Sequence, residues 1–238
     1  HTIDVTSAFL QRNRMESEVY VKPPKEFAEP GKIWRLLRCL YGLCEAPRSW
    51  YERVLSELKK LKGIVSKYDN ALFLWYNEEG VIDGILAVHV DDFVYCGTSS
   101  WLKFVVKNII ATFKISKSAQ GCFAYLSLNI IQTRSSVFVD QYKYVEELKK
   151  VSLDTVRALQ KDAKLNEKEK KELRRISGQL LWLTSNSRPD SAFDSCWVSN
   201  YGKEPTVKHL ITANKAIDKV KKDQVRIAFP DLGNPKYW

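Results

Sequence analysis

The chain has 238 residues, 45% hydrophobic and 28% charged, so it can bury a sizeable core and lacks the composition of a disordered chain. Its formal net charge is +10, from 38 Lys and Arg against 28 Asp and Glu, which favours an anionic partner, nucleic acid being the commonest. The five cysteines form no C-x-x-C pair, no apolar run approaches the roughly 20 residues of a membrane span, and no signal peptide is visible. Zinc, a disulfide framework and a membrane are therefore set aside, and an intracellular chain with reduced thiols, cytoplasmic or nuclear, is expected.

Residues 2–10 read as a strand passing into a turn or short helix, with Asp4 in an apolar, β-branched setting. A carboxylate there is costly unless it is paired or metal-bound. Residues 18–21 read as a short strand, broken by Pro23-Pro24, and 33–40 as another. Residues 41–50 lead into a helix with Pro47 in its first turn. Trp50, Val54, Leu58 and Leu61 follow at helical spacing, lysines gather at the end, and Gly63 closes it. Trp50 is read as a core aromatic.

Residues 71–76 and 81–89 are predicted strands. The second begins the stretch 85–95, in which two β-rich arms flank Asp91 and Asp92 as the turn of a hairpin. Residues 101–113 are helical by periodicity, and Lys114 and Lys117 then read as solvated loop lysines, with a general acid as the alternative role for a lysine there. A strand at 125–133 and a return at 137–140 form a second hairpin. Helices follow at 142–151, from the capping-box pattern Asn166-x-x-Glu169 to about 185, at 191–201 and at 206–222, with His209 structural or solvated. Mixed elements first and helices afterwards predict an α+β chain, divided into 1–140 and a mainly helical 141–238.

Two carboxylates in one turn are by themselves an ordinary hairpin feature. Together with Asp4 they have a chemical use. Carboxylates from separate strands can converge on two divalent ions and so transfer a nucleotidyl group. Hard oxygen ligands suit Mg²⁺. Phe9, five residues after Asp4, either lies under an incoming sugar or belongs to the core. Arg48 either touches template phosphate or serves the start of its helix. Both alternatives stay open at this level.

The segments Asp4-Val5-Thr6-Ser7-Ala8-Phe9-Leu10, Glu18-Val19-Tyr20-Val21, 40–50 (Leu-Tyr-Gly-Leu-Cys-Glu-Ala-Pro-Arg-Ser-Trp), His89-Val90-Asp91-Asp92 and Ser187-Arg188-Pro189-Asp190 occur in this order. Together they resemble the reverse transcriptase of copia-type long-terminal-repeat retrotransposons, over nearly the whole chain. The resemblance implies a right-hand polymerase fold with a ferredoxin-like palm, followed by a thumb or connection region. It implies DNA synthesis on an RNA or DNA template-primer from deoxynucleoside triphosphates, with two Mg²⁺ ions held by Asp4, Asp91 and Asp92. It further implies that Phe9 is the sugar-gate aromatic, that Glu45 stands near the incoming nucleotide, and that His89 packs near the primer end.

The departures are local. His89 replaces the Tyr usual before Val-Asp-Asp, Cys44-Glu45 replaces Lys-Gln, and Ser127 stands where Gly is usual. The sequence starts three residues before Asp4 and ends at Trp238. On the resemblance, fingers strands and an RNase H domain lie outside it, as in an excerpt or shortened copy of a Pol polyprotein. The alternative from a different class is a catalytically inactive nucleic-acid-binding remnant, for which the positive charge suffices. A third is a chain that folds poorly without its fingers.

Overall fold

A computed structural model describes residues 1–11, 17–202 and 204–233. It is a mixed helix-and-sheet structure of two compact units, His1–Gln120 and Gly121–Trp238. The boundary falls before the 122–140 hairpins, which the sequence pattern had grouped with the first domain.

The first unit contains β1 (Thr2–Val5), β2 (Tyr20–Val21), β3 (Trp34–Arg35), α1 (Ala46–Lys60), β4 (Ile64–Val65), β5 (Leu72–Tyr76), β6 (Ile82–His89) and β7 (Asp92–Gly97). A helical rod follows, α2 (Ser99–Trp101), a π-helical turn at Leu102–Val106 and α3 (Lys107–Thr112), and then β8 (Ile115–Ala119). Six of the strands form one sheet in the order β4-β5-β6-β7-β1-β8, antiparallel throughout. Its centre is a β-α-β-β-α-β succession: β1, α1, the β6–β7 hairpin, the rod and β8.

Alternation along the strands decides what faces the helices. Ile3 and Val5, Phe73 and Trp75, Leu86, Phe93 and Tyr95 are buried, together with Trp50, Val54 and Leu58 of α1 and Val105, Ile109 and Phe113 of the rod. Residues between them in sequence point to the opposite face. The helix α1 carries its apolar residues at the predicted spacing. Its end differs from expectation. Lys62, not Gly63, takes the left-handed conformation (φ +65°). Gly63 is needed for close approach, because a Cβ there would lie 2.7 Å from the Trp75 ring.

Three further expectations are corrected. The strand predicted over 33–40 shrinks to Trp34–Arg35, because Trp34, Leu37 and Leu40 remain exposed and have no sheet face to cover. The strand predicted over 125–133 is a hairpin, β9 (Cys122–Tyr125) and β10 (Leu128–Gln132), turning through Leu126 (φ +49°) and Ser127 (φ +64°). Neither turn residue is a Gly or Asn, so the apolar pattern ran through it unmarked. Lys117 belongs to β8, where the sequence pattern gave a loop.

Glycine at position 127 suits that turn better than serine. A side chain in the left-handed region costs about 1–2 kcal/mol, and part of this is offset by the freedom glycine gains when unfolded. Ser127→Gly is expected to raise stability by about 0.5–1 kcal/mol, read as a higher midpoint in a thermal melt.

In the second unit β11 (Ser136–Asp140) and β12 (Ile227–Pro230) extend the β9–β10 hairpin into a sheet of order β12-β11-β10-β9. The helices are α4 (Tyr142–Glu147), α5 (Thr155–Leu159), α6 (Glu167–Asn186), α7 (Ala192–Ser199) and α8 (Val207–Lys222). The Asn166/Glu169 capping box forms as the sequence predicts. Leu173, Ile176, Leu180 and Leu183 of α6 pack against Val198 and against Leu210, Ala213, Ile217 and Val220 of α8. His209 is structural: its Nδ1 accepts from the Thr206 backbone N–H at 3.0 Å, and its ring stacks on Trp197.

The segment 187–190 also has a structural use. The buried Arg188 guanidinium grips Asp190 through two bonds of 2.9 and 2.8 Å and donates to the Val220 carbonyl at 3.0 Å, near the end of α8. These bonds hold the Asp190 carboxyl below its ordinary range. The charged carboxylate is therefore favoured in the folded chain. Its contribution is present above about pH 4, the ordinary Asp value, and is lost as pH falls through the lowered folded value. Asp190→Ala strands a buried cation. It is expected to cost about 2–3 kcal/mol, less than a fully buried pair because Asp190 is partly exposed, and to flatten the acid limb of stability against pH in urea titrations.

Candidate active site

Register assembles the site. Asp4 on β1 lies directly opposite Asp92 on β7, and Asp92 lies opposite His89 on β6. On the other side Asp4 pairs with Lys117 of β8. Directly opposed residues of antiparallel strands share a face. His89, Asp92, Asp4 and Lys117 therefore form a row across four strands, on the face away from the helices. The alternation that buries Ile3, Val5 and Phe93 leaves Asp4 and Asp92 on this open face.

Asp91 joins from the turn. The turn residues are Val90 and Asp91, one position earlier than the sequence pattern suggested, and Asp92 is already in strand β7. Val90 has φ +55°, an outlier for a β-branched residue. The Val5 N–H donates to the Asp91 carbonyl at 2.8 Å, and the indole N–H of the buried Trp50 donates to the Val90 carbonyl at 2.6 Å.

A bulge at Asp4/Val5 leaves Ser116 beside Asp4, and its hydroxyl donates to the Asp4 carboxylate. Sequence reasoning missed this residue because Ile115-Ser116-Lys117-Ser118-Ala119 carries little apolar signal for a strand. It had assigned Trp50 to the core. That placement holds, and the indole bond to the turn adds to it.

The electrostatics follow. Burial first, then the charges of Asp91 and Asp4, push the Asp92 carboxyl above its ordinary value, and His89 opposes this. A cation is the natural complement of such a cluster. Among the described residues no group of three or more His, Cys, Asp or Glu is placed closely enough to hold a metal ion by itself. The donors nonetheless fit Mg²⁺ by type. They are hard and acceptor-only, and Mg²⁺ usually takes one or two carboxylates and completes its shell with water and substrate phosphates.

The remaining candidates lie elsewhere. Phe9 is 7% exposed, belongs to the core cluster and packs on Tyr41, ring centroids 4.6 Å apart. Glu45 is exposed at the start of α1, where Ser17 donates to it at 3.0 Å. Arg48, in the first turn of α1, pairs with Glu52 at 2.9 Å. Neither Glu45 nor Arg48 bonds to the carboxylate row. Trp50, in the second turn of the same helix, is its link to the hairpin. Among the described residues no helix is long and apolar enough to cross a membrane.

The comparisons with known proteins bear on the family of the chain. The family described as "Reverse transcriptase (RNA-dependent DNA polymerase)" matches residues 1–160. The transposon Ty5-1 protein YCL074W of Saccharomyces cerevisiae is 26% identical over 230 residues, 90% of this chain and 74% of that protein. The retrovirus-related Pol polyprotein from transposon RE1 of Arabidopsis thaliana is 25% identical over 87% of this chain, and that from transposon TNT 1-94 of Nicotiana tabacum 30% identical over 61%. The matched region spans 15% and 11% of those two polyproteins. With a family match over most of its length and retrotransposon Pol relatives along it, this chain belongs to the reverse transcriptase family, in its copia-type retrotransposon branch.

Proposed function

We propose that the chain carries the palm of an RNA-directed DNA polymerase in its first unit, with thumb or connection elements in the helical part of the second. It would extend a primer 3′-hydroxyl with deoxynucleoside triphosphates on an RNA or DNA template. The observation that carries this reading is the register Asp4↔Asp92, with Asp91 in the adjoining turn tied to β1. That arrangement draws three carboxylates to one end of four strands.

Asp4, Asp91 and Asp92 would hold Mg²⁺, and two ions would polarise the primer hydroxyl and neutralise charge on the departing pyrophosphate. The protein's own part is positional. The paired strands fix Asp4 and Asp92, and Ser116 orients the Asp4 carboxylate by donating to it. His89 is exposed next to the turn, and on this reading it would meet the primer end. The net charge of +10 supplies attraction to phosphate without sequence preference.

A second reading, an inactive nucleic-acid-binding remnant, is favoured by two observations. Glu45 presents an exposed carboxylate at the position that resemblance assigns to the nucleotide, and Phe9 is sunk in the core against Tyr41. Primer extension with Mg²⁺ on an RNA template separates the two. Extension that an Asp91→Asn/Asp92→Asn chain lacks supports the polymerase. Salt-sensitive duplex binding without extension, equal in both chains, supports the remnant.

A further inference from the structure

We propose that Trp50 is a positioning residue for Asp91: its indole N–H holds the β6–β7 turn in the conformation that sets Asp91 beside β1. The inference rests on the polymerase reading above.

Val90 is the weak point of the turn. At φ +55° a β-branched residue is strained, and such a conformation persists only where the surroundings over-determine it. Its side chain is 41% exposed and gains little packing to offset the strain. Two hydrogen bonds hold the turn instead. The Val5 N–H donates to the Asp91 carbonyl at 2.8 Å, which ties Asp91 to the residue following Asp4. The Trp50 indole donates to the Val90 carbonyl at 2.6 Å, which ties the turn to α1.

The Trp50 donor is itself fixed. Trp50 is 2% exposed. Its ring meets Phe113 edge-on at 5.4 Å between centroids, and Phe113 meets Phe93, the neighbour of Asp92, at 6.0 Å. An indole has one polar atom and it is a donor, so where that bond goes defines what the ring positions. Without it the Val90 carbonyl is released, the turn relaxes from its strained conformation, and Asp91 moves relative to Asp4. A displacement on the order of 1 Å in a catalytic group costs about 10²-fold in rate.

Trp50→Phe, in the full chain, keeps the aromatic packing and removes the donor. The expected result is cooperative unfolding with Tm lower by about 2–4 °C. The kcat of primer extension falls by about 10–100-fold. KM for the nucleotide stays within about threefold, because binding in the ground state is little changed. Val54→Ala, a buried change in the same helix, is the control. It lowers Tm at least as far and leaves kcat nearly unchanged. Adding Val90→Gly to Trp50→Phe recovers most of kcat, because glycine holds positive φ without strain. Amide hydrogen exchange at Val5, whose N–H donates to the Asp91 carbonyl, and at Asp92 is faster in Trp50→Phe than in the wild-type chain.

A kcat loss that merely tracks Tm in both Trp50→Phe and Val54→Ala, with no rescue by Val90→Gly, overturns the proposal. If the wild-type chain extends no primer, the polymerase reading fails separately. Exchange at Val5 and at Asp92 then decides: unchanged protection in Trp50→Phe overturns the positioning role and faster exchange sustains it. Should Trp50→Phe not fold, 3-benzothienylalanine at position 50, which has the indole's shape with sulfur in place of N–H, carries the same measurements.

Discussion

Asp91→Asn is expected to reduce Mg²⁺-dependent primer extension by at least about 10²–10³-fold, the scale on which one preorganised charged group acts at a reacting centre. The amide keeps the shape of the carboxylate and half of its acceptor capacity but none of its charge. The turn bond from Val5 goes to the Asp91 backbone carbonyl and survives the change. The loss would therefore report on charge, with the hairpin intact.

Asp92→Asn is the informative companion. Asp92 carries the repulsion of Asp91 and Asp4 together with the cost of burial. Neutralising it without added Mg²⁺ is expected to stabilise the first unit by roughly 0.5 kcal/mol at neutral pH, a small figure because Asp92 is only partly buried and solvent screens the repulsion. A site built for function is commonly less stable than its neutralised variant. Melting curves of both chains, with and without Mg²⁺, check this. An Asp92→Asn chain that melts lower than wild type in the absence of Mg²⁺ would show that the row is not under repulsion.

Gly84→Ala is expected to destabilise the first unit by about 3 kcal/mol or more, at the upper end of overpacking effects. Gly84 and Gly97 lie opposite each other on β6 and β7, at the end of the hairpin remote from the aspartates. Together they seat the indole of Trp101. A Cβ on Gly84 would lie 2.2 Å from that ring, and one on Gly97 2.5 Å from it. The ring cannot retreat, because it is 3% exposed and packed against Trp75 at 5.2 Å and Tyr95 at 6.1 Å. Replacing a strand glycine by alanine at an unstrained position would ordinarily stabilise, so the sign of the effect is diagnostic. Denaturant titration followed by near-ultraviolet circular dichroism checks it, and Gly84→Ala/Trp101→Leu is expected to recover part of the loss by making room.

Much of this was legible in the residues. The helix at 46–60 follows from Trp50, Val54 and Leu58 at helical spacing, and the Asn166/Glu169 cap opens α6 as its chemistry requires. The hairpin around 85–95 follows from two β-rich arms. Asp4, Asp91 and Asp92 were nameable because carboxylates placed among β-formers have few structural uses.

What failed had several local causes. Turns without Gly or Asn, such as Leu126-Ser127, leave no local mark, and a strand with few apolar residues, such as β8, has no period to detect. The sequence by itself determined which residues form the core faces and which three carboxylates are the candidates, because side-chain alternation and cost of burial are local properties. Only the tertiary structure decided that Asp4 opposes Asp92, that the turn runs through Val90 and Asp91, and that Trp50 and Ser116 reach the site. Register, bulges and the direction of a single indole bond depend on partners far along the chain, and no local pattern encodes them.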